Sequence, residues 1–215
     1  MKNILFVMTH YDDEAFQLGT IVKLLKAGKR VIIMTICGQD EREEISRKIE
    51  LEIDKNHYDF YWSRIAFRSL SLKDNNKTIN KITKVVKDEI ITNNIDTIFY
   101  PYQNDFHYEH QIVAKSCNLL LRPDRLKNNE MDSIKRVYQC YTPGSTEQGC
   151  FDIREFNKVF DINIDVVMEN YALQEYSKHV KGITSRDSNL GIKNYFGRYY
   201  GYTYANIYKT ILDIN

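Results

Sequence analysis

The stretch Ile4-Leu5-Phe6-Val7-Met8-Thr9-His10-Tyr11-Asp12-Asp13-Glu14 decides how the chain is read. Its first five residues form a continuous apolar run, the pattern of a strand buried on both faces rather than an alternating, half-exposed one. Such a strand belongs in the middle of a parallel sheet. In open α/β sheets ligands bind at the carboxyl ends of the strands, so Thr9 to Glu14 stand where chemistry is expected.

Outward from this strand, Ala15 to Ala27 places Phe16, Ile21, Leu24 and Leu25 at helical spacing, and Gly28 stands where a helix end favours a left-handed residue. Val31 to Met34 reads as a second buried strand. Glu41 to Asn56 is a charged helix with Ile45, Ile49, Leu51 and Ile53 as its apolar stripe, and Tyr58 to Leu72 is mixed, with an extended stretch. A helix over Thr78 to Asn93, a strand over Ile95 to Tyr100 ended by Pro101, a helix over His107 to Leu121 and a strand over Arg136 to Tyr141 follow. A helix over Asp165 to Lys181 then precedes a tyrosine-rich tail, in which Tyr200, Tyr202 and Tyr204 read as one face of an edge strand. The alternation implies a Rossmann-like α/β fold, a mostly parallel sheet with helices on both faces. With no internal repeat and no low-complexity linker, a single domain over residues 1–215 is expected, its core over 1–150 and its cleft completed by a C-terminal helix and aromatic tail over 151–215.

The 215 residues, 43% of them hydrophobic, suffice to bury one core without disulfide or metal staples. Lys plus Arg number 30 against 29 Asp plus Glu, interspersed along the chain, which argues against a general nucleic-acid binder. No apolar run approaches the ~20 residues of a membrane span, and the stretch after Met1-Lys2-Asn3 is too short for a signal peptide. Cys37, Cys117, Cys140 and Cys150 form no Cys-x-x-Cys pair, so neither a zinc knuckle nor a redox motif is expected. The expected setting is a reducing cytoplasm, with a small molecule as partner.

Two loops hold the candidate ligands. The first carries His10, Asp12, Asp13 and Glu14; the second, after the strand ended by Pro101, is Asn104-Asp105-Phe106-His107-Tyr108-Glu109-His110. Acidic residues at a helix start also cap free backbone N–H groups and complement the macrodipole. Imidazole beside carboxylates in a cleft, however, suits zinc or a similar divalent ion such as Fe2+. His107 and His110 share one face of a first helical turn, with Asp105 available as N-cap. Three of the 5 histidines fall in these two loops, at one edge of the expected sheet. His57 reads as a surface residue, and His179 is open to either reading. No Gly-x-Gly-x-x-Gly follows the first strand, and an acidic loop there repels phosphate, which argues against a nucleotide-binding module.

These residues resemble the PIG-L/LmbE-type deacetylases, zinc-dependent enzymes that remove the acetyl group from N-acetylglucosaminyl conjugates. The family's His-Pro-Asp-Asp-Glu motif is matched by His10-Tyr11-Asp12-Asp13-Glu14, and its Asp-x-His-x-Asp-His run by Asp105-Phe106-His107-Tyr108-Glu109-His110. Thr35-Ile36-Cys37-Gly38 resembles its Thr-x-x-Gly turn, and Arg47-Lys48-Ile49-Glu50 its Arg-x-x-Glu helix. The segment from Arg198-Tyr199-Tyr200-Gly201 to Tyr204-Ala205-Asn206 is similar to its closing segment, where the last position is usually Glu. Tyr11 replaces the motif's proline and Glu109 its aspartate. The resemblance is clear over about residues 1 to 120.

Carried over by position, the resemblance implies His10, Asp13 and His110 as metal ligands, Asp12 as general base and His107 as acid or oxyanion partner. Three protein ligands leave zinc an open position for water, and a carboxylate that is not a ligand can take the water's proton. Arg47, Arg198 and Asp105 are expected to serve substrate binding, with the tail tyrosines offering aromatic faces to a sugar ring. The implied activity is zinc-dependent removal of an N-acetyl group from an amino sugar conjugate. Two other readings stay open: a metal-dependent amidase acting on a non-sugar N-acyl metabolite, and a non-catalytic sugar- or nucleotide-binding domain.

Overall fold

The computed structural model describes residues 1–38, 42–55, 60–67, 75–121, 131–143, 146, 151–179 and 186–214. The run that opens the chain is β1 (Asn3–Met8), and Ile4, Leu5, Phe6 and Val7 are fully buried. Alternate side chains of a strand point to opposite faces, and here each face meets a helical layer. Ile4, Phe6 and Met8 pack with α1 (Leu18–Lys26), α2 (Arg42–Asp54) and α5 (Val166–Ser177). Leu5 and Val7 pack with α3 (Asn76–Thr92) and α4 (Tyr108–Asn118). Burying each such side chain is worth about 1.5–3 kcal/mol, which explains why so apolar a strand takes the centre of the sheet.

The sheet adds β2 (Arg30–Cys37), β3 (Phe60–Phe67), β4 (Thr97–Pro101), β5 (Arg136–Cys140), β6 (Lys158–Asp161) and β7 (Ala205–Asp213), in the order β3-β2-β1-β4-β5-β7-β6. The first five strands of the chain are mutually parallel, and β7 runs antiparallel between β5 and β6. The chain winds outward from β1 through β2 to β3, then returns to place β4 on β1's other side. That reversal opens a crevice at the carboxyl ends of β1 and β4, the place where such sheets bind ligands. Gly28 ends α1 at φ 69, as its position in the sequence predicts.

The C-terminal third departs from the expectation. Residues Arg186–Tyr199 form a helix, α6, so Tyr195 and Tyr199 lie on a helix and Tyr200 in the turn after it. Asn189, Lys193 and Phe196 recur at helical spacing and are buried, which accounts for α6, while Tyr200, Tyr202 and Tyr204, expected on one face of an edge strand, instead lie in the turn between α6 and β7. The edge strand is β6, while β7 lies inside the sheet with Tyr208 fully buried. A third apolar cluster of Tyr102, Tyr141, Phe156, Phe196 and Ile207 joins α6 to the sheet. His57 and Cys150 lie outside the described residues.

Candidate functional site

Asp13 opens a short 3-10 turn (Asp13–Phe16) directly after β1. Its Oδ2 accepts the backbone N–H groups of Thr9 and His10 at 3.0 and 2.9 Å, so this carboxylate fastens the chain as it leaves β1, whereas the helix-capping role read from the sequence is not made, since no side chain caps the turn. The same carboxylate has a second partner, because Oδ1 lies 3.3 Å from Nε2 of His110. Burial alone would raise the Asp13 pKa, but His110, His10 and the backbone donors together hold it well below the usual carboxylate range.

His110 is fully enclosed, with Nδ1 3.3 Å from Oδ1 of Asp105 on its far side. Burial opposes its charge, yet the Asp13 and Asp105 carboxylates outweigh burial and raise its pKa to about 10. Asp105 also accepts from the backbone N–H of His107 at 2.8 Å and from Thr146 Oγ1 at 2.9 Å. It is buried, so the structure places this expected substrate contact behind the histidines, where it orients them.

His10 completes the group: Nδ1 is 3.8 Å from Asp13 Oδ2, and Nε2 is 2.7 Å from Glu109 Oε2. The His107 ring stands 4.9 Å from that of His10 and 4.8 Å from that of His110, centroid to centroid. Ligand atoms of His10, Asp12 and Asp13 lie within 4.8 Å of one another, as do those of His10, His107 and His110 and those of His10, Cys37 and Glu109. Two donors on a tetrahedral zinc with bonds of ~2.0 Å sit about 3.3 Å apart, so the Asp13–His110 spacing fits such an ion. The two carboxylates that stabilise a proton on His110 supply the negative field a divalent cation requires, and imidazole–carboxylate is the donor set zinc prefers.

Asp12 has a different partner. Its Oδ2 accepts from Arg42 Nη1 at 3.0 Å, and its pKa is raised to about 6 by burial and by the charge of Asp13, against the opposing pull of Arg42 and His10. His107 is displaced the other way: partial desolvation, then the charges of His110 and His10, lower its pKa from the ordinary histidine value. Glu14, next in the motif, faces the interior and accepts a 2.5 Å hydrogen bond from Tyr176.

Neither expected arginine bonds to this cluster among the described residues. Arg47 is exposed on α2 and bonded to Glu43 at 2.6 Å, whereas Arg42, one turn earlier on the same helix, reaches Asp12. Arg198 is exposed in the last turn of α6, between the exposed Tyr195 and Tyr199. His179 is exposed beyond α5. Sequence reasoning missed Arg42; its signal was position, since it follows the turn at the carboxyl end of β2, the strand next to β1. It also missed that Glu109, one methylene longer than the family's aspartate, reaches His10.

The other two departures from the family's pattern, Tyr11 and Asn206, have structural accounts as well. Tyr11 is buried against Gly38, where an added Cβ would lie 2.4 Å from the tyrosine ring, and Gly38 has φ 142. The glycine of the Thr-x-x-Gly turn is therefore the seat of the tyrosine that replaces proline. Asn206 donates to Glu169 Oε1 at 2.7 Å and to Thr20 Oγ1 at 3.0 Å, and accepts from the buried Lys193. Glu169 already supplies a carboxylate here, and an amide can donate to it where a second carboxylate could not.

Solved structures share this architecture. The fold is that of the LmbE/PIG-L-type deacetylases. A conserved protein from Thermus thermophilus superposes with a TM-score of 0.74 at 17% identity, over 100% of this chain and 97% of that one. The N,N'-diacetylchitobiose deacetylase from Pyrococcus horikoshii superposes with a TM-score of 0.66 at 19% identity, over 98% of this chain and 84% of that one. The 4-carboxy-2-hydroxymuconate hydratase from Pseudomonas putida does so with a TM-score of 0.71 at 13% identity, over 100% and 98%. No family model and no curated protein matches the chain. Since the same fold carries a hydratase, the fold alone does not choose the reaction; the side chains of the site do. Among the described residues no helix is long and apolar enough to cross a membrane.

Proposed function

We propose that this protein hydrolyses the N-acetyl amide of an amino sugar conjugate, with zinc or a related divalent cation such as Fe2+ held by His10, Asp13 and His110. The observation that carries this reading is the separation of roles between adjacent carboxylates. Asp13 is committed to His110 and two backbone donors, while Asp12 beside it has a pKa of about 6. A group with that pKa is ionised at neutral pH and still basic, the condition for an efficient general base.

When bound, the cation supplies Lewis-acid polarisation and brings the pKa of water towards ~7. Asp12 Oδ1, the oxygen not bonded to Arg42, accepts a proton from the attacking water, whose oxygen adds to the acetyl carbonyl carbon. A ring N–H of His107 acts as a hydrogen-bond donor to the charge growing on the carbonyl oxygen. The carbon–nitrogen bond breaks as the departing amine takes the proton that Asp12 received, giving acetate and the free amino sugar. Arg42 holds the Asp12 carboxylate in place throughout. Of the expected substrate contacts, Arg198 and the exposed Tyr195 and Tyr199 keep that role in this proposal as one wall for the conjugate.

The test is acetate release from N-acetylglucosamine, N,N'-diacetylchitobiose and N-acetylated amino acids, with metal content measured on the same preparation. Acetate from the sugars is expected, and Asp12→Asn is expected to lower turnover at least ~10²-fold with metal retained. Turnover of the amino acids alone would assign the protein to non-sugar amides, and a fully active Asp12→Asn enzyme would overturn the base assignment.

A further inference from the structure

Strands β2, β1 and β4 are neighbours in the sheet, and the carboxyl end of each delivers one donor to a common point. Cys37 is the last residue of β2, His10 follows β1 by two positions, and Glu109 stands in the first turn of α4, after β4. Ligand atoms of the three, a thiol sulfur, a ring nitrogen and a carboxylate oxygen, lie within 4.8 Å of one another. Because they come from three strands, no spacing along the chain announces them.

The backbone holds Cys37 in this place, since its N–H donates to the Thr9 carbonyl at 2.7 Å, one residue before His10. Its side chain is a buried thiol outside any disulfide. His10 presents Nε2 to Glu109 at 2.7 Å and Nδ1 towards Asp13 at 3.8 Å, so the nitrogen on the side of Glu109 is Nε2. A neutral imidazole carries one lone pair and can serve an ion on only one side at a time. The side chains of His10 and Glu109 are 14% and 12% exposed, which lets an ion arrive from solution.

Sulfur decides which ions suit this place. Magnesium and calcium take oxygen donors, whereas a thiolate beside an imidazole favours soft and borderline cations. The charges of Glu109 and Asp13 both act on the thiol, so the local field is negative and attracts a cation. A thiol that coordinates a metal gives up its proton.

We infer that Cys37 Sγ, His10 Nε2 and Glu109 form a second metal position, suited to a thiophilic divalent cation such as cadmium, which excludes the ion proposed on His10, Asp13 and His110. On binding, the thiol proton and the Nε2 proton pass to solvent and Nδ1 takes one up beside Asp13, so one proton is released per ion. The inference rests on the proposed zinc ligands for the exclusion alone, and acetate release plays no part in it.

The test is a cadmium titration of the full-length, chelator-treated protein, followed by the ultraviolet charge-transfer absorption of a cadmium–thiolate bond. One equivalent should develop the band. Cys37→Ser and Cys37→Ala should each abolish it and weaken cadmium binding at least about tenfold, the lower end for losing a group that merely supports a ligand, with zinc affinity changed less than about twofold. In zinc-loaded protein, cadmium should release zinc one for one as the band grows. His110→Ala should lose zinc and keep the band. No band in the wild type, or a band that survives in both Cys37 variants, overturns the site. Loss of the band in His110→Ala would make the sulfur a ligand of the zinc position and overturn a second one, and cadmium bound with zinc retained overturns the exclusion. If the band depends on Cys37 while His110→Ala keeps its zinc, the proposed zinc ligands fail and the sulfur site stands.

Discussion

Glu109 Oε2 lies 2.7 Å from Nε2 of His10, joining residues 99 positions apart across the mouths of β1 and β4. A carboxylate accepting from Nε2–H selects the tautomer whose Nδ1 carries the lone pair, and Nδ1 is the nitrogen near Asp13. Glu109→Ala is therefore expected to weaken zinc binding by about 10–100-fold, measured by competition with a chromophoric chelator. Glu109→Gln, which can still accept but carries no charge, should fall between. Unchanged affinity in both variants would remove Glu109 from the site.

His110→Ala and Asp13→Ala should each lower metal content and acetate release together, since each removes one of three proposed ligands. Asp13→Ala also strips the acceptor from two backbone N–H groups, so its melting temperature should drop more than that of Asp13→Asn, which keeps an acceptor oxygen. Full zinc in both alanine variants would refute the ligand set.

The Glu14 carboxyl makes stability depend on pH. Burial raises its pKa from 4.5 to about 8, so the folded protein keeps a proton that the unfolded chain releases. Its contribution is full below about 4.5 and is lost as pH climbs to about 8, with a slope of at most about 1.4 kcal/mol per unit. Comparing chelator-treated wild type with Glu14→Gln by denaturant unfolding isolates the effect, because Gln preserves the acceptor for Tyr176. The wild type should lose stability relative to the variant between pH 5 and 8; parallel curves would show Glu14 to be ionised in the fold.

Lys193 is buried with its ammonium 3.6 Å from Glu169 Oε2, and it donates to the Phe16 carbonyl at 2.8 Å. Lys193→Met leaves the Glu169 carboxylate without its counter-charge and should cost about 3–5 kcal/mol near neutral pH. Burial already raises the pKa of Glu169, so part of the loss should return as the pH is lowered and the carboxyl takes up a proton. Adding Glu169→Gln should recover stability at neutral pH; a double variant no better than the single one would place the cost in packing instead.

Local pattern carried most of the fold into the sequence. The continuous apolar run at Ile4 to Met8 announced a strand buried on both faces, and helical spacing announced α1 to α5, because burial repeats with the period of each element. The motif at His10 to Glu14 was legible for the same reason: a strand's carboxyl end is next to the residues that follow it. Tyrosine content misled in the tail, where Tyr200, Tyr202 and Tyr204 form the turn between α6 and β7 and the strand begins only at Ala205.

What local pattern could not carry was the pairing of residues far apart in the chain. That Arg42 rather than Arg47 meets Asp12, that Asp105 stands behind His110, and that Glu109 reaches His10 depend on how β1, β2 and β4 align in register. The charge states of the site belong to the tertiary structure as well. Asp12 and Asp13 are neighbours of one chemical type, yet burial beside Asp13 raises the first, while His110, reached only through α4, lowers the second. Sequence supplied the proposed ligands and base as side chains in order; folding decided their charge environments, since desolvation and charge act through space and not along the chain.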